Sequence, residues 1–145
     1  MDEQAQRLAV VDAARAYIGT PYHQNAMLKG IGVDCATLLA LSFQDAGVRP
    51  PISIGNYSSQ WHLHSEEPLY EKAIIENGCR LTDAPGIGDI VLYFQGRQFA
   101  HGGIISALEP LSVIHAYAPA RCVLEGPEAH FAAIVSVKKK FFSAW

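Results

Sequence analysis

The stretch Lys29-Gly-Ile-Gly-Val-Asp-Cys-Ala-Thr-Leu-Leu-Ala-Leu-Ser-Phe43 joins a glycine-punctuated loop to an apolar helical run. Its reading decides the fold. Asp34 is a side-chain acceptor placed to cap a helix beginning at Cys35. Leu38, Leu39, Leu41 and Phe43 suit that helix to burial, and Gly47 followed by Pro50-Pro51 stops it. Cys35 thereby falls in the first helical turn. Unpaired backbone N–H groups and the positive end of the helix dipole favour a thiolate there. Asp34 opposes this, because a neighbouring negative charge raises a thiol's pKa. A reactive Cys35 therefore needs an imidazole beside it; without one, it is a small packing residue.

Working outward, a first helix is predicted from about Asp2 to Tyr17, with Leu8, Val11, Ala14 and Ile18 at helical spacing and Gly19-Thr-Pro21 ending it. The loop Tyr22 to Val33 leads into the cysteine helix. After an irregular stretch from Ile52 to Tyr70, a third helix is predicted over about Pro68 to Glu76. Beyond Gly78 the pattern changes to strands: Asp89–Phe94, His101–Ser106, Val113–Tyr117, Cys122–Glu125 and Ala132–Lys138. Helices first and strands afterwards indicate an α+β domain with N-terminal helices packed on an antiparallel β-sheet.

Two histidines lie in those strands. If His101–Ser106 and Val113–Tyr117 form a hairpin about Glu109-Pro110, one register puts His101 directly across from His115, on the same face. One imidazole then accepts the Cys35 proton while the other fixes its tautomer. A one-residue slip sends the two rings to opposite faces.

At 145 residues the chain reads as a single domain, 1–145, large enough for one core. Half the residues are hydrophobic and 17% are charged, which excludes a disordered chain. A formal net charge of −3 gives no electrostatic case for nucleic acid, and Lys138-Lys-Lys140 reads as a solvated strand end. No apolar run is long enough for a membrane span. The acidic, polar start Met1-Asp-Glu-Gln-Ala-Gln-Arg7 does not read as a signal peptide. Three cysteines (Cys35, Cys79 and Cys122) without C-x-x-C spacing argue against a disulfide framework or a cysteine-rich zinc site.

Five blocks, in order, carry a family resemblance: Gly19-Thr-Pro-Tyr22, Gly32-Val-Asp-Cys35, Gly88-Asp-Ile-Val-Leu92, Ala100-His-Gly-Gly-Ile104 and Val113-Ile-His-Ala116. Together they resemble the NlpC-type cell-wall cysteine peptidases over about Leu8 to Val137. The Gly-Thr-Pro-Tyr and Ile-His-Ala-Tyr blocks are most similar to the branch encoded with phage tail genes. The resemblance implies a papain-like α+β fold, Cys35 as nucleophile, His101 as general base and His115 as the residue that orients it. It implies that Tyr22 stands beside the cysteine to bind substrate or stabilise the oxyanion, and that Asp34 faces the substrate to hold a free amine. The Cys35 backbone N–H is the other expected oxyanion donor, since helix-start amides point to that position.

The implied activity is hydrolysis of the peptide stem of bacterial peptidoglycan, commonly between D-glutamate and a diamino acid, without metal or cofactor. Phage tail proteins are the implied partners. The expected setting is synthesis in the cytoplasm without a signal peptide, then incorporation in a phage tail or release to the cell wall. The chain departs from the family pattern after the cysteine. Ala36 and Thr37 stand where a small Ser or Thr and then Gly are usual, and Thr37 puts a β-branched side chain where the helix packs closely or admits substrate.

Other features read more plainly. His62-Leu-His64 has the spacing of a metal half-site but no matching carboxylate or cysteine. Tyr57 to His64, with Trp61, reads as a loop over the cleft or the core edge. Gly30-Ile-Gly32 lacks the preceding strand of a nucleotide motif. Cys79 and Cys122 read as packing residues, and Phe141-Phe142 and Trp145 as core or edge cover. A structural tail-assembly component, or an amidase or acyltransferase on the same cysteine–histidine chemistry, are the alternative functions.

Overall fold

The computed structural model describes residues 1–48 and 68–145. Residues 52–67 of the expected irregular middle segment, with Trp61, His62 and His64, lie outside the described residues, and its last two, Leu69 and Tyr70, are helical. Helix α1 (Glu3–Arg15) begins at Asp2, whose carboxylate accepts the Ala5 amide hydrogen at 2.8 Å. Glu3 in its first turn and Arg15 in its last both complement the helix dipole. The buried stripe is Val10, Val11 and Ala14, continued by Tyr17. Leu8 and Ile18, expected on that stripe, are instead exposed (52% and 46%). Helix α2 (Cys35–Asp45) buries every residue from Cys35 to Phe43, and α3 (Leu69–Glu76) buries Tyr70 and Ile74.

The strands are β1 (Met27–Leu28), β2 (Gly32–Val33), β3 (Arg80–Thr82), β4 (Ile90–Gln95), β5 (Gln98–Leu108), β6 (Leu111–Tyr117), β7 (Cys122–Pro127) and β8 (Lys139–Ser143). β1 and β2 make a two-stranded ribbon ahead of α2, and the rest form an antiparallel sheet in the order β3-β8-β4-β5-β6-β7. The architecture is therefore α+β, with helices packed on an antiparallel sheet. Among the described residues, no helix is long and apolar enough to cross a membrane.

Four of the five predicted strands correspond to β4 to β7, with Asp89 just ahead of β4. The fifth does not: residues 132–138 form turns rather than a strand. The Phe131 carbonyl accepts the amide hydrogens of Ile134 (3.0 Å) and Val135 (3.1 Å), which rolls the chain over and drives Ile134 to complete burial. The strand comes later, as β8. Phe141 and Phe142, expected as core or edge cover, lie on β8 between β3 and β4, with Phe142 packed towards the helices and Phe141 towards the other face.

Both faces of the sheet are covered, which is why β4 reads as an unbroken apolar run rather than an alternating one. Val10, Leu38, Leu39, Ile90, Leu92, Ile104 and Phe142 build the core on the helix side. Val91, Tyr93, Ile105, Val113, Tyr117, Phe131 and Ile134 build the other. The second core is closed by the chain after β7. Glu128 accepts from Tyr93 Oη at 2.9 Å and pairs with Lys139, while Ala133 N donates to Tyr117 Oη at 3.1 Å.

The Gly88-Asp89 block has a structural task. Arg7 of α1 donates to the Asp89 carboxylate (2.8 Å), to Ile87 O (2.9 Å) and to Ser143 Oγ (3.3 Å), tying the first helix to β4 and β8. Asp89 is 1% exposed, so removing its partner strands a buried charge, at a cost of about 3–5 kcal/mol.

Candidate active site

The site begins with the helix start. Asp34 caps α2: its Oδ1 accepts the Thr37 amide hydrogen at 2.9 Å, and Thr37 Oγ1 accepts the Asp34 amide hydrogen at 2.8 Å. This reciprocal box fixes where the helix begins and hence where Cys35 stands. It also accounts for Thr37. The β-branched side chain that departs from the family pattern turns back onto its own helix start and is buried. Asp34 is only 1% exposed, and its Oδ2 accepts the Asn25 amide hydrogen at 2.7 Å. The carboxylate expected to face substrate thus also caps the helix and anchors the preceding loop.

The Gly19-Thr-Pro-Tyr22 block forms an extra edge beside β7. Gly19 N donates to Val123 O (2.9 Å), Val123 N to Thr20 O (3.0 Å) and Tyr22 N to Arg121 O (2.8 Å). On its other side, Val33 N donates to Pro21 O and His23 N to Val33 O. Tyr22 is thereby clamped between β7 and β2. Burial, with the nearby Cys35 and Asp34 as further causes, holds its phenol above the ordinary range.

The histidines occupy the sheet face away from the helices. Ile104 faces Ile114 and Ile105 faces Val113, a register displaced by two residues from the one that sets His101 directly opposite His115. An even displacement keeps both rings on one face. They meet diagonally: His101 Nε2 lies 2.8 Å from His115 Nδ1. Gly103 explains the displacement, because a Cβ there lies 3.2 Å from His115 Cβ and 3.0 Å from Ile114 O. A side chain at 103 occupies the room the His115 ring needs. Gly102 serves the other face, where a Cβ meets Leu92 Cδ2 at 2.8 Å, Tyr70 Oη at 3.0 Å and Leu39 Cδ1 at 3.3 Å.

Aromatic rings enclose the pair. Tyr93 stacks near His101 (5.8 Å between centroids), Tyr117 stacks on His115 (4.9 Å), and Phe131 meets His115 edge-on at 4.4 Å. His115 is wholly buried, and its Nε2 has no hydrogen-bond partner among the described residues. Burial holds His101 down to about 4; burial and then the charge of His101 hold His115 down to about 3. Both imidazoles are neutral at neutral pH.

Cys35 reaches this pair through the backbone of β5. The β5–β6 ladder runs from Ile104↔Ile114 to Leu108↔Leu111. Before Ile104, Cys35 Sγ lies 3.5 Å from Ala100 O, and the Gly102 amide hydrogen-bonds the sulfur. The sulfur therefore sits beside the backbone on either side of His101. Its environment does not favour the expected thiolate. Burial first, and the Asp34 charge second, push the thiol up to about 12, while the Gly102 amide, the nearby Tyr70 hydroxyl and the Ala36 amide act in the opposite direction. The cysteine and both histidines therefore rest neutral at neutral pH.

The structure thus brings Cys35, His101, His115, Tyr22 and Asp34 into one neighbourhood, with Cys35 on the helix side of the sheet and the histidines on the other. Tyr70 and Phe131 join them without any local sequence signal, and the Ala100–Gly102 backbone belongs to the Ala100-His-Gly-Gly-Ile104 block. Cys79 and Cys122 are half-buried.

No protein-family model matches the chain, and no curated protein matches it in sequence. Solved structures do match. The NlpC/p60 domain of the peptidoglycan hydrolase SagA is 22% identical and superposes with a TM-score of 0.63, over 96% of this chain and 98% of that one. The peptidoglycan hydrolase RipB of Mycobacterium tuberculosis is 17% identical, with a TM-score of 0.60, over 99% of this chain and 68% of that one. An N-acetylmuramoyl-L-alanine amidase from Bacteroides uniformis is 14% identical, with a TM-score of 0.63, over 94% and 97%. At these identities the likeness is one of fold: the chain has the α+β fold of the NlpC/p60 domains.

Proposed function

We propose that this protein is a cysteine peptidase that hydrolyses the stem peptide of bacterial peptidoglycan. The observation that carries the reading is the 2.8 Å contact between His101 Nε2 and His115 Nδ1, beside a cysteine in the first turn of a capped helix. The likeness in fold to peptidoglycan hydrolases supports the choice of substrate.

The geometry suggests how the groups act. His101 Nε2 is engaged with His115, which leaves Nδ1 to serve the cysteine. Since thiol and imidazole both rest neutral, proton transfer from Cys35 to His101 accompanies attack rather than preceding it. The sulfur bonds to the peptide carbonyl carbon, and His101 passes the proton to the departing amine. Water then cleaves the thioester with His101 again as base. Tyr22 and the Cys35 amide are the oxyanion donors in this scheme, and Asp34 holds the amine of a stem peptide.

Digestion of purified muropeptides by the intact chain and by Cys35→Ala tests the reading. A new amine within the stem, formed only by wild type, is the expected product. Cleavage undiminished in Cys35→Ala, or none by wild type, sinks it. The fold likeness to an amidase supports a second reading, amide cleavage between the sugar lactyl group and the stem. The same digest detects it as release of an intact stem.

The phage-tail setting, with tail proteins as partners and delivery to the wall by the particle, is part of this proposal. It rests on the Gly19-Thr-Pro-Tyr22 and Ile114-His-Ala-Tyr117 blocks. Particles carrying Cys35→Ala that assemble but fail to penetrate the wall are its expected signature. Particles that assemble and penetrate normally favour a purely structural role in the tail.

A further inference from the structure

The far face of the sheet carries a line of polar side chains that the reaction scheme uses only in part. Tyr93 of β4 lies directly opposite His101 of β5 and, on its other side, directly opposite Lys139 of β8. Opposed residues of antiparallel strands share a face, so His101, Tyr93 and Lys139 stand in line across three strands. Glu128 reaches this line from the short 3-10 turn Glu128–His130 that follows β7. Its Oε2 accepts the Tyr93 hydroxyl hydrogen at 2.9 Å, and its Oε1 pairs with the Lys139 ammonium. The Tyr93 ring lies against His101, with 5.8 Å between centroids and 28° between planes.

From this geometry we infer that Glu128 is a positioning residue for the general base, acting through Tyr93. With its hydroxyl tied to the carboxylate, the phenol ring cannot slide away from the imidazole it packs against. Two constraints then meet on His101: His115 Nδ1 stands 2.8 Å from its Nε2, and the Tyr93 ring limits how far its plane can rock. Together they set the direction in which Nδ1 points. The polar atoms are not needed to fill the core. Tyr93 has no exposure, and a phenylalanine fills the same space without a hydroxyl to satisfy. The Glu128 side chain is only 13% exposed, and Lys139 supplies the opposite charge. Apolar side chains often replace such buried pairs without loss of stability, so what this one contributes is a defined arrangement. The same turn leads into Phe131, which meets His115 edge-on at 4.4 Å, so one short segment bears on both imidazoles.

The role of Glu128 rests on the peptidase reading, but its test is separable from that reading. Wild type, Tyr93→Phe, Glu128→Ala, Glu128→Gln and the double variant Tyr93→Phe/Glu128→Ala are compared. Muropeptide hydrolysis gives kcat and KM, and 1H–15N spectra of the imidazoles report the His101 tautomer, its signals identified by their loss in His101→Ala. Tyr93→Phe and Glu128→Ala should each lower kcat roughly tenfold with KM unchanged, as befits a misaligned base. The double variant should be no slower than the slower single one, since both remove the same contact. Glu128→Gln keeps an oxygen that accepts from the phenol and should retain more turnover than Glu128→Ala. In Tyr93→Phe the His101 nitrogen shifts should move towards the average of its two tautomers.

His101 signals identical in wild type and Tyr93→Phe overturn the inference, even if Tyr93→Phe hydrolyses more slowly, since slow turnover with an unmoved base marks a merely structural tyrosine. Fully additive losses in the double variant overturn it as well. Absence of hydrolysis in wild type overturns the peptidase reading instead, and the imidazole spectra then decide the positioning role alone. Should Glu128→Ala fail to fold, Tyr93→Phe still decides, because it keeps the ring and the Glu128–Lys139 pair and removes only the hydroxyl.

Discussion

The two faces of the central sheet are built from the same strands yet do different work. On the helix face, Ile90, Leu92 and Ile104 meet Leu38, Leu39 and Phe142, an apolar interface whose polar visitors are the Cys35 sulfur and the Tyr70 hydroxyl. On the far face, Tyr93, Tyr117, Phe131 and Ile134 wrap two neutral imidazoles in aromatic and aliphatic carbon. One core carries the fold. The other keeps a titratable pair dry and in register. Adjacent glycines mark the division: Gly102 admits the tyrosine on the first face, and Gly103 admits His115 on the second.

The sharpest way to break this comparison is to remove the base. His101→Ala should lower hydrolysis of muropeptides by about 10²–10⁴-fold while leaving the melting temperature near that of wild type. A variant that hydrolyses normally would show that the far face is only a core. Next come matched cavities. Leu38→Ala and Ile134→Ala each delete a fully buried aliphatic side chain and should each cost about 2–5 kcal/mol in denaturant unfolding. At equal folded fraction, only Ile134→Ala should reduce turnover, because Ile134 packs in the core that holds the histidines. Equal turnover losses in the two variants would erase the functional distinction between the faces.

Acid titration sharpens the comparison further. His101 is held down to about 4 and His115 to about 3, from an ordinary value of 6.5. Between about pH 6.5 and pH 4 the unfolded chain therefore binds protons that the folded chain refuses. The contribution of these two imidazoles is level above about pH 6.5 and declines as pH falls towards about 4. His115→Gln should flatten part of that decline, as read from urea unfolding at stepped pH. The smallest effect belongs to the helix face. Thr37→Val removes the hydroxyl that accepts the Asp34 amide hydrogen and should cost about 1 kcal/mol, with no change in the shape of the pH profile. A pH-dependent loss there would place the acid sensitivity at the helix start instead.

Where local rules govern, the sequence was readable. Helices α1, α2 and α3 have periodicity and breakers of their own, and β4 to β7 have β-branched runs between turn residues. The expected strand at Ala132–Lys138 failed because an apolar run says only that residues will be buried; here turn hydrogen bonds to Phe131 O achieve the burial. β8 escaped notice because Lys139-Lys140 beside Phe141-Phe142 looks like a charged tail with apolar cover. Both lysines find carboxylates, Glu128 and Glu71, brought near only by the fold. Strands as short as β1, β2 and β3 have too few residues to show a period.

The site follows the same logic. Cys35 was legible from its helix start, and the two histidines from their strands. Alternation fixes which face a side chain takes, but not how far one strand slides along another in steps of two. The diagonal meeting of His101 and His115 therefore depended on the room left by Gly103, a property of packing. Tyr70 could not be found at all, since nothing near Leu69 in sequence refers to a cysteine 35 residues earlier.

The placement of β8 has a consequence for how the molecule is made. β4 receives β8 as its neighbour on one side, and among the described residues β3 joins the sheet through β8 alone. During vectorial synthesis, the apolar flank of β4 waits unpaired until residues 139–143 have left the ribosome, and β3 has no sheet to join before then. The histidine strands can pair early, but the domain closes only when this late strand slots into the gap.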